Sequence, residues 1–205
     1  MVRLLTVEAE RADPAPVKGD AVGVDLGIAV FATLSDTTEI AAPQPLKRSL
    51  HRLRRKSRAL SRTKPGSRRR RKAAEALARL HRRVRNQRED MLHKLTTKLA
   101  RSKSVIVVED LAVKNLVRNH RLARAISDMG WGRFRQMLAY KTVWYGSRLI
   151  VADRYYPSSK HCSGCKTMKA ELSLSERTFR CEACGLVIGR DLNAARNLAE
   201  LAGAA

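Results

Sequence analysis

The chain has 205 residues, enough for one ordinary domain and a small insertion but too few for two full enzyme domains. Hydrophobic residues make up 44% of it, which excludes a disordered tail, and 42 Lys and Arg against 19 Asp and Glu give a formal net charge of +23. That charge predicts nucleic acid as the partner, with an anionic membrane as the rival. Neither a membrane-spanning apolar run nor a secretory signal is evident, so we expect no membrane association and a cytoplasmic, nucleoid-associated protein.

Residues 21–41 predict three antiparallel strands after a short peripheral segment, residues 1–20. The first strand is Ala-Val-Gly-Val-Asp-Leu-Gly and the second runs from Ile28 to Leu34. A turn through Ser35-Asp36 then leads to a short return strand near Glu39-Ile40.

Residues 43–101 predict a basic helical hairpin. They hold 22 Lys and Arg but only three acids, a net charge of +19. The second half has an apolar helical face, and Lys64-Pro65-Gly66-Ser67 separates it from a weaker first helix. A solvated helix pair is the alternative, but such faces usually mix both charge signs, so this one favours a polyanion. The residues expected to bind nucleic acid are Arg54, Arg55, Arg68, Arg69, Arg70, Arg71, Lys72, Arg82, Arg85 and Arg88.

The second half of the chain alternates between strands and helices. Residues 104–110 (Ser-Val-Ile-Val-Val-Glu-Asp) predict a buried strand of an α/β sheet that ends in two acids. A helix of about 25 residues from Leu122 to Ser147 is expected next. A strand over Arg148 to Tyr156, a cysteine-bearing segment at 157–189 and a helix from Asp191 to Leu201 complete the prediction.

Four cysteines form two close pairs, Cys162-Ser-Gly-Cys165 and Cys181-Glu-Ala-Cys184, separated by 15 residues. This spacing fits a zinc ribbon in which four thiolates surround Zn²⁺, with Gly164 and Gly185 in the tight turns. Disulfides or unrelated thiols are the alternatives, which the spacing and the missing export signal disfavour. Four thiolates leave no open position, so we expect a structural zinc and an ordinary exposed histidine at His161.

Three acids occupy positions where a carboxylate is costly unless it binds something. Asp25 lies on the first strand, Glu109 ends the apolar strand, and Asp191 opens the final helix. Converging on one edge of a sheet, three carboxylates can hold two Mg²⁺ or Mn²⁺ ions about 4 Å apart for phosphodiester hydrolysis. Other interpretations stay open, because Asp191 can be a helix N-cap, and Glu109 and Asp110 can be solvated strand-end residues.

Seven segments of the chain together resemble one known family. In order, they are VGVDLGI at 22–28, SRRRRKA at 67–73, RNQRED at 85–90, IVVEDLAVKNL at 106–116, WGRFRQMLAYK at 131–141, SSKHCSGC at 158–165 and RDLNAARNL at 190–198. The chain resembles the C-terminal part of the TnpB (transposon OrfB, zinc-ribbon) proteins, ancestors of the type V CRISPR effectors, from about residue 17 to residue 200.

The resemblance implies an α/β fold, an RNase H-like (RuvC) mixed sheet with flanking helices. The nuclease domain would comprise residues 1–156 and 190–205, with the basic hairpin inserted at 43–101 and the zinc ribbon at 157–189. The family's catalytic triad matches Asp25, Glu109 and Asp191. Because the family binds a guide RNA from the transposon end and cleaves DNA paired to it, we expect a Mg²⁺-dependent endodeoxyribonuclease.

Two features depart from the family pattern. Full-length members carry N-terminal wedge and recognition domains, whereas about twenty residues precede the first catalytic strand here. The expectation is therefore a catalytic module, a truncated reading frame or one part of a split gene whose partner subunit supplies recognition. Val187-Ile188-Gly189 also stands where an extra acid or histidine is common. A nucleic-acid-binding fragment without effective catalysis and a structure-selective resolvase stay as alternatives.

Overall fold

The computed structural model describes residues 12–173 and 175–203. Most of the predicted peripheral segment, residues 1–11, and the last two residues of the predicted nuclease domain lie outside the described residues. Within the described ranges, none of the helices combines the length and the apolar character that crossing a bilayer requires.

A five-stranded mixed sheet forms the centre of the fold. Its strands are β1 (Val22–Leu26), β2 (Val30–Leu34), β3 (Glu39–Ala41), β4 (Val105–Glu109) and β5 (Arg148–Ala152). They lie in the order β3-β2-β1-β4-β5, where β1, β2 and β3 pair antiparallel and β1, β4 and β5 pair parallel. The three predicted antiparallel strands are confirmed, and the chain returns to the centre of the sheet only after residues 43–101.

Helices cover both faces of this sheet and supply the basic segment. They are α1 (Pro45–Ser61), α2 (Arg68–Ser102), α3 (Val113–Leu116), α4 (Ala123–Met129), α5 (Trp131–Tyr145) and α6 (Arg190–Glu200). The prediction of one continuous helix over residues 122–147 is wrong. Gly130 divides it with a φ of 73°, a backbone conformation that ends α4 and that side chains with a Cβ rarely adopt.

Two other expectations differ from the structure at their ends. The strand predicted from Arg148 to Tyr156 stops at Ala152, where the chain turns toward the ribbon. The ribbon itself contributes a separate two-stranded sheet, β6 (Thr178–Arg180) and β7 (Val187–Gly189), which pair antiparallel.

Side chains of β4 alternate between two apolar layers. Ile106 and Val108 belong to the larger core, which the C-terminal half of α2 fills together with α4 and α5. An edge-to-face contact between Phe31 and Phe134, with ring centroids 5.4 Å apart, joins β2 to α5 in this layer. Val107 points to the opposite layer and packs with Leu198 of α6. The sheet is therefore buried on both faces, as its apolar strand predicts.

α1 and α2 occupy the segment predicted as a basic hairpin, and their mutual core is small. Only Leu53, Leu80 and Val84 are buried in it among the described residues. The base of the hairpin is held by Asp128 of α4, which is 2% exposed and accepts hydrogen bonds from the backbone N–H groups of Leu46 (3.0 Å) and Lys47 (2.9 Å). A side chain distant in sequence thus caps the first turn of α1.

A buried lysine fastens α5 to α2. Lys141 is 4% exposed, and its Nζ donates to the His93 carbonyl and to the hydroxyls of Thr96 and Thr97, each at 2.8 Å. Burial lowers the pKa of this ammonium group. All three acceptors belong to α2, so the contact fixes the position of the long helix over the sheet.

Asp128→Ala should detach the first turn of α1, because two backbone donors lose their buried acceptor. We expect a loss of about 2 kcal/mol in the free energy of unfolding by urea. Faster amide hydrogen exchange should be confined mainly to α1. The control is Asp90→Ala, which removes an exposed i,i+4 pair with Lys94 and should change stability by less than about 0.5 kcal/mol. Equal effects of the two substitutions would contradict the capping role.

Candidate functional site

Two of the three predicted acids lie side by side at one edge of the sheet. β1 and β4 are parallel neighbours in which Val24 is opposite Val108. Asp25 and Glu109 each follow these residues, so both stand at the carboxyl ends of adjacent strands. Strand alternation directs both side chains to the face that α6 covers.

The third acid reaches this edge because α6 approaches β1 closely. A Cβ added to Gly23 would lie 1.9 Å from the Ala195 carbonyl oxygen, so only glycine permits this packing. Asp191 lies one turn before Ala195, in the first turn of a helix whose other end packs near the start of β4 and β5. The alternative role of Asp191 as an N-cap is wrong, since Gly189 occupies that position and α6 begins at Arg190.

The three carboxyls act on one another electrostatically. The pKa of Asp25 is raised well above its ordinary value of 3.8, first by burial and then by the negative charges of Glu109 and Asp191. The guanidinium of Arg190 offsets part of this effect and also bonds to Asp191 at 3.4 Å. A cation placed among these groups would relieve both the burial cost and the repulsion.

Glu109 and Asp110 are neighbours with different environments. Asp110 pairs with Arg135 of α5 and Arg154, whose hydrogen bonds lower its pKa. Glu109 instead accepts a hydrogen bond of 2.7 Å from the hydroxyl of Ser158, and it has no ion pair within the described part of the chain. Asp110 is thus an ion-paired acid at the end of the strand, and Glu109 is an acid bonded to the buried Ser158 hydroxyl.

A cleft of about 420 Å³ opens beside Glu109 and Asp110. Basic and aromatic side chains line it together with the start of α3 and α5, among them Lys114, Trp131, Arg135 and Arg154. Cationic groups at the mouth of such a cleft suit a ligand that is itself an anion.

The four cysteines meet in one cluster. Cys162 is 3.6 Å from Cys184 and Cys165 is 3.5 Å from Cys181, measured between sulfur atoms. A tetrahedron of thiolates about 2.3 Å from zinc has sulfur–sulfur edges of about 3.8 Å, so the cluster can bind a metal such as zinc. It is the only described group of three or more Cys, His, Asp or Glu whose ligand atoms all lie within 4.8 Å. The three carboxyls are therefore more widely spaced than the ligands of a single ion.

Two equivalent turns build the cysteine cluster. The backbone N–H of Lys166 donates to the Cys162 carbonyl at 2.9 Å, and that of Gly185 donates to the Cys181 carbonyl at 3.0 Å. Both residues have a positive φ, 67° and 74°. Gly164 lies in the first turn, where its backbone N–H bonds to the Cys162 sulfur as expected, while Lys166 and Gly185 hold the positive-φ positions. His161 is half-buried and belongs to no metal-binding group among the described residues.

The thiols cannot all ionise without a cation. Hydrogen bonds from Thr167 lower the pKa of Cys165 to about 6. A backbone bond from Leu186 favours the Cys184 thiolate, but the neighbouring sulfurs outweigh it and raise the pKa of Cys184 to about 12. A bound metal ion would stabilise all four thiolates together.

The basic residues predicted to bind nucleic acid divide into two groups. Arg70 donates to the carbonyls of Leu60 and Thr63 at the turn between α1 and α2, and Arg88 donates to the Ser127 carbonyl at 2.9 Å. These two hold the hairpin together and to α4. The other predicted residues are exposed: Arg54, Arg55, Arg68, Arg69, Arg71, Lys72, Arg82 and Arg85.

Several residues of this surface were not predicted. Between α1 and α2, a basic groove is lined by the predicted Arg55 and by four residues that were not predicted, Arg52, Lys56, Arg79 and Arg83. Helical spacing offers a signal for it, since residues three and four apart on each helix face the same side. We call this surface, with the exposed predicted residues, the basic hairpin surface.

Comparisons with known families cover most of the chain. A family model described as "Probable transposase", OrfB_IS605, matches residues 4–120, and the model of the Cas12f1-like TNB domain matches residues 131–198. A protein of Streptomyces pristinaespiralis named "Putative RNA-guided DNA endonuclease" is 47% identical over 185 residues, which cover 90% of this chain and 46% of that protein. "Putative RNA-guided DNA endonuclease InsQ" of Escherichia coli is 35% identical over 209 residues, covering 95% of this chain and 52% of that protein.

Two conclusions follow from the lengths and the structural comparison. The chain spans about half the length of the curated relatives that it matches. A structure titled as a cryo-EM structure of a CRISPR-Cas12f ternary complex aligns over 95% of this chain and 41% of that chain, with a TM-score of 0.61 and 17% identity. This likeness confirms the mixed α/β fold.

Asp25→Asn should stabilise the protein in buffer without added Mg²⁺ or Mn²⁺. A carboxyl whose pKa is raised in the folded state binds its proton more tightly there than after unfolding. Its contribution to stability therefore falls as pH rises from about 3.8 through the folded pKa. At neutral pH we expect Tm to rise by roughly 2–4 °C for each kcal/mol by which the substitution increases the free energy of unfolding.

The control for this prediction is Asp36→Asn. Lys103 bonds to Asp36 and lowers its pKa, so the substitution should leave Tm unchanged or lower it. A lower Tm for Asp25→Asn at neutral pH would show that Asp25 does not experience the repulsion described here.

Proposed function

Because the chain belongs to the OrfB_IS605 family of probable transposases, we propose that it is the catalytic part of a transposon-associated, TnpB-like RNA-guided DNA endonuclease. DNA and a guide RNA are its proposed partners. The names of its relatives support the activity, and those relatives are about twice as long, so target recognition is assigned to the part that this chain does not span. A partner subunit or a longer form of the protein would supply it.

The observation that carries the proposal is the electrostatic coupling of three acids at one sheet edge. Asp25, Glu109 and Asp191 come from β1, β4 and α6, far apart in sequence, and burial followed by the charges of the latter two raises the pKa of Asp25. We propose that the sheet is an RNase H-like (RuvC) fold and that these carboxylates bind two Mg²⁺ or Mn²⁺ ions. In the described structure their ligand atoms do not all lie within 4.8 Å of one another, so ion binding would draw the carboxylates closer together.

The protein's own groups then have distinct tasks in phosphodiester hydrolysis. When bound, the two ions supply an activated water molecule and stabilise the leaving oxygen. Asp25, Glu109 and Asp191 would hold the ions, whose positive charge would offset the burial and the repulsion that raise the pKa of Asp25. Arg135 and Arg154 line the cleft beside Glu109 and attract the phosphate backbone, while Asp110 keeps both guanidinium groups in place.

The cysteine cluster is proposed as a structural zinc site. Four thiol sulfurs at tetrahedral spacing leave no open position for a substrate or a reactive water. The ribbon over residues 157–189 then acts as a support for residues near the acids rather than as a second catalytic centre.

The basic hairpin surface is proposed to hold nucleic acid by its phosphates. Its cations outnumber its acids 22 to three over residues 43–101, and most of the predicted contact residues are exposed and without ion pairs in the described chain. Binding there would release counterions and weaken with salt. The nuclease domain boundaries, 1–156 with 190–205, remain part of this proposal.

Asp25→Ala should abolish cleavage and leave nucleic-acid binding within about twofold, because phosphate contacts on the hairpin supply the affinity. The protein is purified with the RNA that accompanies it, the RNA is sequenced, and DNA matching it is incubated with Mg²⁺. Asp20→Ala, which changes an exposed acid ahead of β1, is the control and should cleave normally. Cleavage by Asp25→Ala at the wild-type rate would reject the catalytic assignment. Co-purification of mixed cellular RNA would reject the proposal that the protein uses a specific guide RNA.

Arg68→Ala, Arg69→Ala and Arg71→Ala combined should weaken binding and its salt dependence. Each lost phosphate contact lowers the slope of log affinity against log salt by about 0.9 on duplex DNA, so the triple variant should lose up to about 3. Arg70→Ala is the matched control, because its guanidinium bonds to carbonyls of the turn. It should lower Tm and leave the slope nearly unchanged. An unaltered slope in the triple variant would contradict binding at this end of the hairpin.

A further inference from the structure

The hydrogen bond between Ser158 and Glu109 connects the acid site to the ribbon. Ser158 is 4% exposed and lies between β5 and the first cysteine. Because an ionised carboxylate only accepts, the hydroxyl donates its proton to Oε1 of Glu109 at 2.7 Å. This bond engages one oxygen of the carboxyl, and no hydrogen bond to Oε2 occurs among the described residues.

Two asparagines of α6 hold the segment that begins at Ser158. Asn197 donates both amide hydrogens, one to the Ser158 carbonyl and one to the His161 carbonyl, each at 2.7 Å. Asn193 donates to the same His161 carbonyl at 2.6 Å and accepts from the backbone N–H of Ser163 at 2.9 Å. The two asparagines are buried and lie one turn apart on one helix face.

Packing alone does not explain Asn197. Its Oδ1 is buried without a hydrogen-bond partner in the described structure, so half of the amide is unsatisfied. Its amide nitrogen donates two hydrogen bonds, and loss of the one to the buried Ser158 carbonyl would be costly. Both of those bonds end on the segment that leads from Ser158 to Cys162.

The bonded segment runs directly into the cysteine cluster. Cys162 follows His161, and its backbone N–H is bonded to the Thr167 carbonyl at 3.0 Å in the first turn of the cluster. α6 therefore contacts the ribbon through Asn193 and Asn197 and carries Asp191 at its start. Two of the three acids, Glu109 and Asp191, are positioned relative to the same short stretch of chain.

We propose that Ser158 is a positioning residue for Glu109, and that Asn193, Asn197 and the metal-bound cysteine cluster together set its position. This inference rests on the proposed function, because it concerns the acids that would hold divalent ions. The ribbon and the acid site are then one structural unit. Loss of the metal from the cysteine cluster would make the position of the Glu109 carboxylate less fixed, although Glu109 does not contact that metal. Groups that orient a metal ligand in this way typically change metal affinity by about 10- to 100-fold when removed.

Mn²⁺ binding measured by electron paramagnetic resonance on the purified chain tests the proposal without relying on cleavage. Ser158→Ala should weaken Mn²⁺ binding by about tenfold or more, with zinc content and Tm close to those of the wild type. Ser158→Thr, which keeps a hydroxyl, should recover part of the affinity. Ser159→Ala is the control, since no hydrogen bond joins this neighbour to Glu109 among the described contacts.

A second variant tests the connection to the cluster. Asn193 bonds to His161 and Ser163 and to neither Ser158 nor Glu109 among the described contacts. Asn193→Ala should therefore weaken Mn²⁺ binding less than Ser158→Ala but more than Ser159→Ala. Wild-type affinity in both Ser158→Ala and Asn193→Ala would overturn the inference, provided that Glu109→Gln abolishes binding. If Glu109→Gln binds Mn²⁺ like the wild type, the three-acid site itself fails, so the two failures are distinguishable.

Discussion

The close packing of α6 on β1 is the constraint on which the rest of the site depends. Gly23 lies where any side chain would collide with the Ala195 carbonyl, so the glycine is what lets α6 approach the central strand this closely. This contact determines where Asp191 stands relative to Asp25 and where the two buried asparagines meet the ribbon. A methyl group at position 23 would displace the helix and separate these features together, although none of them contacts the glycine.

Insertion of the basic segment between β3 and β4 separates the three acids from most of the cationic side chains. The acids belong to strands and a helix that pack against the main apolar layers. Most of the net charge lies on α1 and the first half of α2, and these two helices share only a small separate core. Mutual repulsion among these cations acts against the hairpin, and a phosphate backbone would remove it. Asp128 and Arg88 join the two regions at their base.

How far the sequence predicts this arrangement depends on the range of the interactions. Period-two and helical apolar patterns anticipated β1, β2, β3, β4 and α6, and the cysteine spacing anticipated the cluster, because these signals are local. The break at Gly130 was not predicted, because helices often tolerate a single glycine and the apolar pattern continues on both sides of it. Ser158, Asn193 and Asn197 were missed because their importance lies in tertiary hydrogen bonds. Two asparagines spaced four apart on the apolar face of an alanine-rich helix were the available sign.

The length of α2 has a mechanical consequence. Its 35 residues contain neither glycine nor proline, so the helix has no built-in hinge between the basic turn and the threonines that receive Lys141. A stiff rod of about 50 Å anchored at one end behaves as a lever. A nucleic-acid strand bound to the hairpin, as proposed, would therefore exert a torque on the layer beneath β1 and β4.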